Sequence, residues 1–277
     1  MALVRNRDLA VAVRTARSIS RRDPLFPIDG EPIHNSRIGI PSTKTVYVLS
    51  GAFGDPSTMT LEVRGQITVD ADNIIPLQFN SFAYGDAAVI SGRDQLDAVL
   101  EAGIRTGPQI VFGYGLGAVI ACRWLSDLAP NSPVLPSEVS FVLIGNPARR
   151  YGGKAAYYGT AVPPPVNTKY IVLDVARQYD GAADWPQVPD TIAFANAKAG
   201  LLALHQPNLD GVGGYHSVGL GDPGAVWTEG NITYQVIRTD VLPLLGDDAA
   251  RQDKALRPQV EASYRRGAPV DLPDYDY

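Results

Sequence analysis

The sequence predicts a doubly wound α/β fold, a mostly parallel sheet with helices on both faces. Three observations lead there. Residues 45–49, 109–112 and 139–144 form short runs dominated by apolar and β-branched side chains, as strands buried on both faces require. Between such runs lie segments with helical apolar spacing, as at Leu96, Val99, Leu100 and Ile104. Strand-like and helix-like segments alternate, the pattern of parallel strands joined by crossover helices.

In chain order, residues 1–42 read as an extended basic arm. A short helix is expected from Arg5 to Ile19, followed by a stretch through Pro24, Pro27, Pro32 and Pro41 that cannot continue it. The compact domain is expected over 43–246. Its first strand, 45–49, stops at Ser50-Gly51, and 74–79 is the second candidate. The helix carrying Leu96 and Leu100 leads to a strand at 109–112. A helix from Leu116 follows and stops before Pro130. Further strands are expected at 139–144, 170–173 and 233–237. Pro163-Pro164-Pro165 reads as a stiff connector, and 247–277 as a polar, acidic tail that would fray by itself.

Composition narrows the function classes. The chain has 277 residues, 45% of them hydrophobic and 19% charged, with 27 Gly and 22 Pro, which describes a folded, turn-rich protein. A net charge of −5 argues against general nucleic-acid binding, although Arg5, Arg7, Arg14, Arg17, Arg21 and Arg22 crowd into the arm. Cys122 is the single cysteine, so no intramolecular disulfide can form, and its apolar neighbours place it in a buried helix. No apolar run is long enough to span a bilayer. No signal peptide is expected, because the first residues lack a separate apolar core and cleavage site.

The segment richest in chemistry is Gly113-Tyr114-Gly115-Leu116-Gly117-Ala118, where an apolar strand meets a helix. A nucleophile elbow, G-x-S-x-G, needs this shape to hold its middle residue exposed above a sheet. A dinucleotide loop, G-x-G-x-x-G/A, uses it to bring a pyrophosphate to the helix N-terminus. Gly113, Gly115 and Ala118 fit the second pattern formally, but Glu138 precedes its strand instead of ending it. Glycines needed only for close helix packing are the third reading.

Four further segments follow in order: Leu143-Ile144-Gly145-Asn146-Pro147-Ala148-Arg149, Gln178-Tyr179-Asp180-Gly181-Ala182-Ala183-Asp184-Trp185-Pro186, Asn196-Ala197-Lys198-Ala199-Gly200 ahead of His205, and Leu242-Pro243-Leu244-Leu245. Together they resemble the PE-PPE-type serine esterase domain of mycobacteria, a relative of cutinases and of the lysin B esterases of mycobacteriophages. The resemblance runs from about Val46 to Leu245 and implies an α/β-hydrolase-like fold. By position it implies His205 as general base and Asp180 as the acid that orients it, with Asp184 as the alternative acid. Counting back from Tyr215-His216-Ser217-Val218 gives a different register, which an insertion at 207–213 would reconcile, and it leaves His216 as the alternative base. His34 has no motif around it.

Gly115 stands where the family has its nucleophilic serine. Glycine offers no side chain for an acyl intermediate, and it tolerates the strained elbow backbone. The other hydroxyls in range by sequence, Ser50 and Tyr114, sit on a different strand end and at a different elbow position. The leading expectation is therefore a catalytically inactive, α/β-hydrolase-like protein with a structural or binding role. No cofactor or metal is expected. Protein partners would dock through the arm and tail within a larger assembly, by analogy a mycobacteriophage virion component made in the host cytoplasm. The competing readings are a lipid or ester hydrolase with another nucleophile, and a nucleotide-binding domain using the GxGxxA loop.

Overall fold

The computed structural model describes residues 44–52, 54–79, 85–104, 106–206, 214–248 and 250–267. The expected arm at 1–42, His34, the expected insertion at 207–213 and the end of the tail lie outside the described residues.

The strands are β1 (Thr45–Leu49), β2 (Asn73–Pro76), β3 (Gln109–Tyr114), β4 (Val139–Ile144), β5 (Ile171–Arg177), β6 (Gly224–Glu229) and β7 (Ile232–Ile237). They form one seven-stranded sheet in the order β2-β1-β3-β4-β5-β7-β6. Every neighbouring pair is parallel except β6 and β7. The expected doubly wound, mostly parallel architecture is therefore the one observed. Strand order reverses about β1, which lies between β2 and β3. Open α/β sheets bind ligands in the crevice at such a switch point, beyond the carboxyl ends of the strands.

The inner strands are apolar at successive positions because both faces are covered. Tyr47 and Leu49 of β1, Val111 of β3, and Phe141 and Leu143 of β4 point into one core. Val46, Val48, Phe112, Val142 and Ile144 point into the other. The first core is roofed by α1 (Asp86–Ala102) and α2 (Leu116–Asp127). Helix α1 buries Ala88, Gly92, Leu96 and Leu100, one residue per turn on a single stripe. The second core is covered by Met59, Val63 and Ile67, from and just after a helical turn at Pro56–Gly65, together with Tyr215, Val218 and Leu220. A third cluster joins Tyr179, α3 (Thr191–Gly200), Leu204, Leu242 and α4 (Ala250–Glu261).

The structure departs from the sequence expectations at four places. β2 is shorter than 74–79 and is an edge strand whose four residues are all exposed. β5 runs past 173 to Arg177 because a charge is tolerated inside it: Asp174 is fully buried and pairs with the equally buried Arg149 at 2.8 Å. β6 and α3 were not anticipated. The described part of the tail is not left by itself: it forms α4 against the domain, in which Asp253 and Arg257 pair at 2.7 Å and Val260 enters the third cluster. Its polar composition reflects buried ion pairs as well as solvent contact.

Candidate functional site

Gly115 links the end of β3 to the start of α2 with φ 51° and ψ −110°. This is a positive-φ conformation that side chains rarely adopt, at a sharp strand-to-helix turn of the shape that a nucleophile elbow requires. Its neighbours explain how the turn is held. Gly115 N–H donates to the Ile144 carbonyl at 3.1 Å, and Gly117 N–H donates to that of Ser50 at 3.1 Å. A Cβ on Gly117 would overlap the Leu49 carbonyl, and one on Gly113 would come within 2.9 Å of the Gly117–Ala118 backbone. These two glycines let α2 lie directly against β1 and β3, which accounts for the glycine spacing without a bound phosphate.

The structure brings together three of the residues carried over from the resemblance. Asp180 follows β5, and His205 closes a wide helical turn, Leu201–His205, that continues α3. His205 Nδ1 lies 3.0 Å from Asp180 Oδ2. The opposite ring nitrogen faces the elbow, since a Cβ built on Gly115 would sit 3.4 Å from His205 Nε2 and 3.5 Å from Gly51 Cα. Leu116 opens α2, so its N–H has no acceptor within the helix. That is the donor an elbow offers to a developing oxyanion.

Asp180 is fully buried. Its Oδ1 accepts from the backbone N–H of Ala182 at 2.8 Å and of Ala183 at 3.3 Å. Burial opposes its charge, but the charge interaction with His205 and the hydrogen bonds from His205, Tyr215 and Ala182 outweigh burial. Together they hold the carboxyl below the ordinary aspartate range. Tyr114 holds the histidine from behind, its hydroxyl donating to the His205 carbonyl and its ring 5.2 Å from the imidazole.

The alternatives left open by the sequence lie elsewhere. Asp184 is engaged by Arg266 at 2.7 Å and accepts the Tyr179 N–H at 2.8 Å, with no histidine bonded to it among the described residues. His216 Nδ1 lies 3.1 Å from Glu62 Oε1, forming a separate histidine–carboxylate pair. Neither Ser50 nor Tyr114 has an idle hydroxyl, since the first donates to the Gly54 carbonyl at 3.1 Å and the second to that of His205. Among the described residues no group of histidine, cysteine and carboxylate side chains is arranged to hold a metal ion.

Sequence reasoning missed two contributors. Tyr215 donates its hydroxyl to Asp180 Oδ2 at 2.7 Å. Gly145, at φ 53°, leaves room for His205, because a Cβ there would come within 3.0 Å of the imidazole. Both lie inside segments quoted for the family resemblance, but nothing in their residue types marks them as neighbours of the site.

Comparison with known proteins gives a consistent placement. The description of the PE-PPE domain matches residues 71–265. The PPE family protein PPE42 of Mycobacterium tuberculosis is 33% identical over 222 residues, which are 70% of this chain and 37% of that protein. The diacyltrehalose acyltransferase Chp2 of the same species is 28% identical, covering 65% of this chain and 56% of Chp2. The esterase PE16, also of that species, is 27% identical, covering 68% of this chain and 40% of PE16. The chain thus spans between a third and somewhat over half of the length of these relatives. No helix among the described residues is long and apolar enough to cross a membrane.

Proposed function

Because the chain belongs to the PE-PPE domain family, we propose that it is an acyl-enzyme fold without its nucleophile, serving as a binding or structural protein. One observation carries this reading: the position that His205 Nε2 faces is Gly115, which has no reacting atom. Two relatives bear the names of an acyltransferase and an esterase, and chemistry of that kind by a covalent route needs an oxygen or sulfur nucleophile beside the base. Hydrolysis through a substitute hydroxyl is disfavoured by the bonds that already occupy Ser50 and Tyr114. Nucleotide binding is disfavoured by the packing role of Gly113 and Gly117. Protein partners would dock through the arm at 1–42 and the residues of the tail beyond α4, whose Val260 packs into the third apolar cluster. Assembly into a larger particle, such as a virion, belongs to this proposal.

The test is a gain of chemistry. The wild-type protein is expected to leave short-chain nitrophenyl esters and fluorophosphonate probes unreacted. Gly115→Ser places a hydroxyl beside His205 Nε2, in a backbone conformation that an elbow serine adopts, and is expected to gain labelling and slow ester turnover. His205→Ala on that background is expected to abolish both, while His216→Ala leaves them. Ester turnover by the wild-type protein would overturn the proposal.

A further inference from the structure

We propose that Tyr215 is a positioning residue of this site, which sets the tautomer of His205 through Asp180. The inference rests on the reading of His205 and Asp180 as base and orienting acid, and it follows from donor and acceptor accounting around one hydroxyl. The backbone N–H of Arg177 points at the Tyr215 oxygen at 2.9 Å. An amide N–H can only donate, so the tyrosine oxygen accepts there and its single proton is committed to Asp180 Oδ2 at 2.7 Å. Burial first, then the charge of Asp180 and the hydrogen bond to it, push the hydroxyl well above the ordinary tyrosine range, so it remains a neutral donor.

Asp180 then receives Tyr215 and His205 on Oδ2, and Ala182 and Ala183 on Oδ1. A carboxyl ringed by donors is held as the carboxylate, which leaves His205 Nδ1 to carry the proton and Nε2 to face Gly115 with its lone pair. Without the Tyr215 hydroxyl, Oδ2 keeps the imidazole as its one partner, and only the Oδ1 contacts with Ala182 and Ala183 still orient the carboxylate.

The backbone of Tyr215 is itself gripped. Val63 N–H donates to the Tyr215 carbonyl at 2.9 Å, and Glu62, which precedes Val63, is itself buried. Val63 and Arg64 hold left-handed conformations, with φ 46° and 55°. Arg64 is tied in turn to the Ser217 carbonyl at 2.8 Å and to Asp222 at 2.8 Å. The Pro56–Gly65 turn therefore fixes where the tyrosine stands, although it contributes no atom to the elbow.

The experiment is nitrogen-15 NMR of the histidine rings in the 277-residue chain, wild type against Tyr215→Phe, read with kinetics on the Gly115→Ser background. The expected wild-type spectrum shows His205 protonated on Nδ1 alone. Tyr215→Phe, which keeps the ring against Tyr114, is expected to give a mixture of tautomers at unchanged circular dichroism. On the Gly115→Ser background it is expected to lower kcat by about tenfold to a hundredfold, the scale of a small misplacement, with KM unchanged. An unaltered His205 spectrum in Tyr215→Phe overturns the proposal. If Gly115→Ser is inert, the reading of the elbow fails, and the His205 spectra of wild type and Tyr215→Phe, both with Gly115, still decide the role of Tyr215. Should Tyr215→Phe not fold, 3-fluorotyrosine at position 215 retains ring and hydroxyl while strengthening the donor. The Nδ1 proton resonance of His205 is then expected to move, and a resonance that stays in place overturns the proposal.

Discussion

Arg266 reaches back 82 residues to close on Asp184, its guanidinium donating to both carboxylate oxygens through Nε and, at 2.7 Å, through Nη2. Asp184 in turn accepts the backbone N–H of Tyr179, which holds a left-handed φ of 68° immediately before Asp180. Glu261 of α4 binds both the Tyr179 hydroxyl and Arg266. The segment after 250 is thus a clamp on the loop that carries the acid.

Arg266→Ala should accordingly destabilise the whole domain. It leaves the buried Asp184 carboxylate without its charge partner, a loss of about 3–5 kcal/mol for a broken buried pair. Urea unfolding should show the midpoint falling with little change in slope, and a midpoint within error of wild type would detach the clamp from the fold.

Glu62 makes stability fall as pH rises. Burial pushes its carboxyl from 4.5 up to about 8, against the opposing effects of the Tyr215 N–H and of Arg177. Between those two values the folded protein holds a proton that the unfolded chain has released, so stability declines as pH rises across that window. Glu62→Gln cannot lose this proton. Its melting temperature should exceed that of wild type near pH 8 and converge with it near pH 4.5. Parallel curves across the range would show that Glu62 titrates normally.

Cys122 should resist alkylation in the folded protein. It has no exposed surface, and burial first, then the charge of Asp174, push its thiol up despite a hydrogen bond from Asn146 at 3.3 Å. Iodoacetamide should modify it only after denaturation, and rapid labelling under native conditions would contradict this packing.

Deleting residues 1–42 should leave a folded domain, because the described residues from Val46 onward already supply three apolar clusters. Circular dichroism should be retained while native mass spectrometry shows weaker association with partners. Global unfolding on truncation would make the arm part of the core.

Sequence patterns anticipated the fold where side-chain chemistry and local geometry agree. β1, β3 and β4 are apolar throughout, and the elbow glycines mark the start of α2. β6 was missed although Gly230-Asn231 between two strand-like runs is a hairpin signal. α3 was missed although Asp190 caps it by accepting the Ala193 N–H. Both are short, 6 and 10 residues, which leaves little periodicity to read. Asp180 and His205 were reached through the family resemblance. Tyr215 and Arg266 could not be, because their roles depend on contacts 35 and 82 residues distant in the chain.

β5 pairs in parallel with β7, and the chain between them, residues 178–231, carries Asp180, Asp184, His205 and Tyr215. Closing so long a connection is entropically costly before any contact offsets it, and such non-local pairing is slow. The His205–Asp180 contact, carried on that connection, is therefore expected to form after β3 and β4 have paired, since only residues 115–138 separate those two strands. In a refolding experiment its appearance would time the end of the reaction, as a clock built into the molecule.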